Sequence, residues 1–360
     1  MSIDIKSIIS QFQIPGKYIS AQAFGNGLIN DTFVVVFEHE NQTIRYICQQ
    51  INKAVFSNPK QVMHNIQCVT SHVRNKLEQQ GFEDIARRVL TLVPTKDGDL
   101  YYCDKNENFW RLYLFIEGTS TCETTPTLHQ AYEAAKAFGE FQARIADIES
   151  SKLFETIPDF HNTPKRFEVL QKACADDVCQ RLKTCKSEVQ FAEENIEIAQ
   201  KLAKLHSSGK IPQRIVHNDT KFNNILFDNE TNEGICVIDL DTVMPGLSLY
   251  DFGDMVRSAM KLAPVNEHMD LFKVLVIGYL TSMRMVLSSD EIELLHFSPV
   301  VVTFELGIRY LTDYLLGDIY FKTTHPEQNL EKCRLQFQLV KAIELKEWEM
   351  SEIVFHNKYY

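Results

Sequence analysis

No apolar run in this 360-residue chain reaches the roughly 20 residues that a membrane span needs; the most apolar stretch, Leu271 to Leu287, is broken by Lys273 and Arg284. The opening MSIDIKSIISQF lacks a basic region followed by an apolar core and a small-residue cleavage site, so no signal peptide is expected. Nine cysteines are present, yet none forms a Cys-x-x-Cys pair. Cys174, Cys179 and Cys185 stand five and six residues apart, which does not align them on one helix face. No histidine completes a zinc site with them, and reduced thiols in a cytoplasmic protein are the expectation. Basic residues are in short supply, 37 Lys and Arg against 48 Asp and Glu, and the net charge is -11. That balance argues against nucleic acid or an anionic membrane as the main partner. There are no internal repeats and no low-complexity linker. What remains is a soluble globular chain, 44% hydrophobic and 24% charged, long enough for two lobes with separate cores.

Residues 2–12 read as a short amphipathic helix closed by Ile14-Pro15-Gly16. The β-branched and aromatic run Phe33 to Phe37, a polar turn at His39 to Gln42 and the run Ile44 to Ile51 predict a hairpin. Gly25 and Gly27 stand where a preceding strand bends into it. From Asn58 to Gln80, Val62, Ile66, Val69, Val73 and Leu77 recur at steps of four, three, four and four. That is a helix with one apolar stripe, stopped by Gly81. Val89 to Val93 and Leu100 to Cys103 suggest a second hairpin turning at Lys96-Asp97-Gly98. The stretch Trp110 to Ile116 reads as a buried strand ending in Glu117-Gly118. Strands around one helix, then a Gly-marked connector, indicate a small α+β lobe over 1–117 and a larger, mainly helical lobe over 118–360. In the second lobe Phe138, Phe141, Ile145 and Ile148 form one helical stripe, and Val189, Ala192, Ile196, Ala199 and Ala203 another. Between them Phe160 to Phe167 is a polar turn into a helix, and the chain beyond 250 is helical.

The stretch with most chemistry in it is Ile215 to Asp241, IVHNDTKFNNILFDNETNEGICVIDLD. It holds a His-x-Asp at 217–219, an Asn five residues later at 224, and a short apolar strand ending in Asp239-Leu240-Asp241. A loop Asp next to an acceptor hydroxyl, an Asn opening the strand that leaves the loop, and an Asp returned by a hairpin suit phosphoryl transfer. Oxygen ligands at loop tips match a hard cation such as magnesium, which also keeps waters and phosphate oxygens.

The strings FGNGLINDTF, QQINKAVF, WRLYLFIEG, FHNTPKRF, VHNDTKFNNILFD, CVIDLDTVMPGLSLYDFGDMVRS and IRYLTDYLLGDIYFK resemble the aminoglycoside phosphotransferase and choline kinase branch of kinase-like enzymes. Within it, the likeness is to the N-acetylhexosamine 1-kinases. It runs from residue 24 to about 322, and Trp348 extends it into the last helix. The resemblance implies a bilobal protein-kinase-like α+β fold, ATP and Mg2+, and transfer of the γ-phosphate to the anomeric hydroxyl of N-acetylglucosamine or N-acetylgalactosamine; a monomer is the separate expectation. Asp219 would be the base, with His217 bracing the catalytic loop. Asn224 and Asp239 would hold the metal, Asp241 being a second ligand or part of the site lining. Gly25, Asn26, Gly27, Gln49, Phe115 and Glu117 would frame the nucleotide. Asn30, Asp31, Arg309, Tyr314 and Trp348 would line the sugar.

Two departures from the protein-kinase pattern stand out. Gln49 occupies the strand position of the usual phosphate-binding lysine, and the helix after it has no Glu between Asn58 and Leu77. Losing both partners together avoids stranding a buried charge. Lys53 is a candidate substitute, with a surface lysine as its plain alternative. Second, Asp251-Phe252-Gly253 spells a metal-binding motif but precedes a helix-like run. Asp251 is expected to cap that helix or brace the catalytic loop. The rival readings are a kinase for choline, an aminoglycoside or another sugar, and a nucleotide-binding pseudokinase. The net charge of -11 would steer a cationic acceptor, whereas the C-terminal resemblance favours a neutral sugar.

Overall fold

The computed structural model describes residues 3–25 and 29–358. Five antiparallel strands build the N-terminal sheet: β1 (Lys17–Ala23), β2 (Asp31–His39), β3 (Gln42–Ile51), β4 (Tyr102–Cys103) and β5 (Phe109–Leu114). Their spatial order is β1-β2-β3-β5-β4. The β2–β3 hairpin closes at Glu40 and Asn41, both at positive φ (51° and 62°). Such a turn matches the right-handed twist of the strands it joins.

Side chains alternate between two apolar layers. Val35, Phe37, Tyr46, Cys48, Trp110 and Leu112 point to a cluster closed by Ile5, Ile8 and Ile9 of the N-terminal helix. Ile51 and Tyr113 point the other way, into the main core with the helix Pro59–Gln79. On that helix Val62, Ile66, Val69, Val73 and Leu77 are all buried, as their spacing predicts. Gln49 and Arg111, directly opposite on β3 and β5, share the parity of Ile51 and Tyr113.

The sequence expectations fail in three places. The N-terminal helix spans Ile5–Ile9 only. Val89 to Val93 does not pair with Leu100 to Cys103. Val93 donates to Leu112 and Leu114 donates to Thr91, while Tyr102–Cys103 pairs with Trp110 and Phe109. The two runs therefore lie end to end along one edge of β5, because the buried strand is the better partner for both. The stripe from Val189 to Ala203 is two helices, Lys186–Glu194 and Ile196–Ser207, broken where Asn195 turns its side chain onto the Phe191 carbonyl. Ile198, Ala199 and Leu202 form the buried face of the second.

Beyond residue 118 the chain is mainly helical, with a small sheet made of β6 (Thr119–Ser120), β8 (Ile225–Asp228) and β9 (Gly234–Val237). A second ladder pairs β7 (Arg214–Val216) with β10 (Met244–Gly246). The helix Ser248–Leu262 lies against Ser298–Leu316, and Gly253 makes that approach possible: a Cβ there would meet the Ser298 carbonyl oxygen at 2.5 Å. Phe252 beside it is fully buried. The Asp-Phe-Gly triplet is thus a helix-packing element. This contact holds the helix so that Asp251 reaches the loop leaving β7.

Candidate active site

β7 delivers the chain to the loop His217–Lys221, a short turn Phe222–Asn224 leads into β8, and β9 returns to Asp239. The loop is clamped by one carboxylate. Asp251 accepts the His217 N–H and the Asn218 N–H, each at 2.7 Å, and the Gln142 side-chain amide as well. The Thr220 hydroxyl donates to the Asp251 carbonyl. Asp251 lies within the helix, whose N-cap is Leu247, so it acts as brace rather than as cap. Burial raises its carboxyl pKa, while His217 and the donated N–H groups oppose the rise. Asp251→Ala would strand two buried N–H groups, each worth about 1–3 kcal/mol when unsatisfied. A loss of about 2–5 kcal/mol in urea-melt stability is expected, and an unchanged midpoint would contradict the clamp.

Both ring nitrogens of His217 are occupied. Nε2 meets the Ile238 carbonyl at 2.9 Å, and Nδ1 accepts the Asp219 N–H at 3.2 Å. The imidazole therefore ties the loop to the end of β9, and no ring nitrogen is left for proton transfer. Asn218 and Asp239 both sit at positive φ (65° and 61°). Strained non-glycine backbone of this kind concentrates at functional sites.

Asp219 faces two donors. Lys221 Nζ lies 2.7 Å from its Oδ2, and Asn224 Nδ2 donates to the same oxygen at 3.1 Å and to the Asp219 carbonyl at 2.8 Å. Burial pushes the Asp219 carboxyl up, but Lys221, His217 and Asn224 together hold it below its ordinary value. Asp239 differs. Burial, then the charges of Asp241 and Asp219, push its carboxyl up to about 6, with Lys221 and Arg111 only partly compensating. A carboxylate crowded by carboxylates is the arrangement a divalent cation neutralises, and Asp239 with the Asn224 amide oxygen is a hard-cation donor set. Asp241 is already committed: Arg111 donates to one oxygen and Asn30 to the other, at 2.7 Å for Asn30.

On the nucleotide side, Gly25 has φ 72° between β1 and β2. Asn26 and Gly27 lie outside the described residues. Gln49, expected to frame the nucleotide, is bound on both sides of its amide. Its amide donates to Thr32 Oγ1 (3.0 Å) and its oxygen accepts Arg111 Nε (3.0 Å) and Nη2 (2.8 Å). Glu117 is exposed and paired with Arg45, which stacks 3.9 Å over Phe115. Lys53 is exposed.

The residues expected to line the acceptor separate into three groups. Asn30 is fixed to Asp241 and to the Asn52 N–H, and Asp31 is exposed at the start of β2. Arg309 is half-buried among Phe160, Tyr320 and Phe321, whose ring centroids lie 5.3–5.7 Å from its guanidinium. Tyr314 and Trp348 are not brought to this wall. Tyr314 is 2% exposed with its hydroxyl on Thr184, while Trp348 is 74% exposed on the last helix, Glu347–Asn357. Both follow from helix packing: the face carrying Tyr314 turns inward beneath Arg181, and the last helix packs on His268–Met283.

Several site residues escaped the sequence reading. Lys221 lies two residues beyond the His-x-Asp. Asp254 and Arg257 face one another one helical turn beyond Asp251 (2.6 Å). His161 spans Glu305 (2.9 Å) and the Asn218 carbonyl (3.2 Å). Two acceptors on two ring nitrogens call for the imidazolium. Burial opposes that form, and Glu305 outweighs burial to raise the pKa.

The model of the phosphotransferase enzyme family matches residues 20–280 of the chain. The chain belongs to that family. Among solved structures, an aminoglycoside phosphotransferase from Alicyclobacillus acidocaldarius shares 12% identity over 99% of this chain and 98% of its own, with a TM-score of 0.65. A choline/ethanolamine kinase family protein from Mesorhizobium loti shares 15% identity over 97% and 98%, with a TM-score of 0.56. A spectinomycin phosphotransferase solved with ADP and spectinomycin shares 15% over 91% and 94%, with a TM-score of 0.50. At such identities the likeness establishes the kinase-like fold of this phosphotransferase.

Proposed function

We propose that this phosphotransferase moves the γ-phosphoryl group of ATP to the anomeric hydroxyl of N-acetylglucosamine or N-acetylgalactosamine. The observation that carries the reading is the interlocked trio of Asp219, Lys221 and Asn224, with Asp239 facing it from the end of β9. Asp219, ionised at neutral pH, takes the proton of the attacking hydroxyl at its carboxylate. Lys221 steadies that carboxylate and lies where negative charge on the transferred group gathers. Asn224 and Asp239 would hold Mg2+, which supplies charge neutralisation on the phosphates when bound. His217, Asp251 and His161 fix the loop that carries the base, so most of the acceleration is positioning.

The acceptor wall argues for a neutral sugar over choline or an aminoglycoside. Arg309 sits within the aromatic ring set, Lys332 lies 5.5 Å over Tyr310, and Arg257 is within Coulombic reach of Tyr310. Lys261 is pushed down by burial and then by the charges of Arg257 and Lys332. Asp254 neutralises Arg257, so Arg309 and Lys332 are the cations a charged acceptor would meet here, while hydroxyls and an acetyl group would not be repelled. N-acetylglucosamine should therefore exceed glucosamine at pH 7 by about 10-fold or more in kcat/KM, the equivalent of about 1.4 kcal/mol. The test is ADP release across amino sugars, hexoses, choline and aminoglycosides, with phosphorus NMR of the product. A phosphate resonance split by the anomeric proton is expected; preference for choline or for the free amine would overturn the sugar assignment.

A further inference from the structure

In protein kinases a lysine on the third strand and a glutamate on the neighbouring helix act as one unit beside the phosphates. Here Gln49 stands on β3, and the helix Pro59–Gln79 instead offers Asn65, which donates to the Val243 carbonyl at 2.9 Å and the Phe154 carbonyl at 2.7 Å. One strand away, Arg111 is 1% exposed and makes three bonds: Nε and Nη2 to the Gln49 oxygen, Nη1 to Asp241. Asp241 begins the turn's way back from Asp239, and its other oxygen is held by Asn30 of the N-terminal lobe. Thr156 fixes its carbonyl at 2.9 Å. Three groups of the N-terminal lobe thus grip residues 241–243, and only Arg111 among them is charged.

We propose that Arg111, oriented by Gln49 and anchored on Asp241, is the positioning cation of the site. It takes over from the absent Lys–Glu pair by fixing the strained turn that presents Asp239 to the metal. The cation has moved one strand across, to the residue directly opposite Gln49 in the β3–β5 ladder. Burial suits this role, because a guanidinium 1% exposed cannot serve as a mobile phosphate ligand, whereas it can hold a carboxylate in one geometry. Asp241 is then an anchor for the turn rather than a second metal ligand. The idea rests on the phosphotransferase reading for its metal, but the strut itself can be read without any ligand.

Two measurements separate the strut from the reading it rests on. In the ligand-free protein, hydrogen exchange should show residues 239–243 protected, with Arg111→Gln opening that segment selectively by about 10-fold or more while the core of the helix Ser298–Leu316 keeps its protection. Equal protection in the variant overturns the inference, whatever the protein phosphorylates. In titrations of ADP with Mg2+, Arg111→Gln should raise the Mg2+ needed for half-maximal binding about 10–100-fold, as loss of a partner that orients a metal ligand does. Metal-free ADP affinity should be unchanged. Asp241→Asn should give the same shift, and Arg111→Gln with Asp241→Asn together should give no more than either alone; additive shifts overturn the pairing. Should Arg111→Gln fail to fold, the exchanged pair Gln49→Lys with Arg111→Gln restores a cation on the same rung and should regain most of the protection, and its failure to do so counts against the proposal. If the wild-type protein binds no ADP with Mg2+, the functional reading fails while the exchange result still judges the strut.

Discussion

Asp219→Asn should bind nucleotide like the wild-type protein and transfer phosphate about 10²–10⁴-fold more slowly, the usual contribution of a positioned general base. The substitution keeps the shape of a side chain whose Oδ2 meets Lys221 at 2.7 Å and Asn224 at 3.1 Å. It removes the charge and the capacity to take a proton. Burial favours protonating Asp219, yet Lys221, with His217 and Asn224, more than offsets it and keeps the carboxyl below its ordinary value. The wild-type base is therefore ionised at neutral pH, and its activity should fall only as the solution becomes acidic enough to protonate it. Binding read by calorimetry, with turnover read by ADP release, separates the two effects. Normal turnover in Asp219→Asn would place the base elsewhere.

Asp239→Ala should abolish the metal dependence of nucleotide binding, weakening it by about 100-fold or more in Mg2+, since even partners one step removed from a metal cost 10–100-fold. The case rests on contrast with its neighbour. Asp241 spends both oxygens on Arg111 and Asn30, while the Asp239 carboxyl is raised to about 6 by burial and by the surrounding carboxylates. Asp239 is thus the group with charge left to neutralise. Because it sits at φ 61°, Asp239→Asn is the matched control: asparagine tolerates that backbone and removes only the charge. Both variants should lose the Mg2+ effect. If alanine alone did so, the charge would not be what the ion requires, and a neutral side-chain oxygen at this position would suffice.

Much of this site was legible before any coordinates, for a local reason. His217, Asp219, Asn224 and Asp239 flank the open end of one short hairpin, so their spacing in sequence translates almost directly into proximity. The helix Pro59–Gln79 was equally legible, because a single buried stripe at helical spacing leaves few alternatives. Residues that act across long separations were not. Arg111 reads as an arginine in an otherwise apolar strand, and only the β3–β5 register and the approach of the second lobe bring it to Gln49 and Asp241, 130 residues away. That odd charge within WRLYLF was the available signal. Asp251 was legible only as a cap or a brace, because its partners depend on the Gly253 contact that seats the helix. The surroundings of Trp348 and Tyr314 were not legible, because an aromatic on a helix shows its period and not the neighbour that the helix will choose.

Asn224 and Asp239 should share one ion next to the base. A crystal structure of the protein with ADP and Mg2+ measures this directly. We expect the ion about 2.0–2.1 Å from an oxygen of each side chain, with the nucleotide phosphates completing its shell and Asp219 facing the open side of the terminal phosphate. An ion held by Asp241 or Asp251 instead, or phosphates bound away from Asp219, would contradict it.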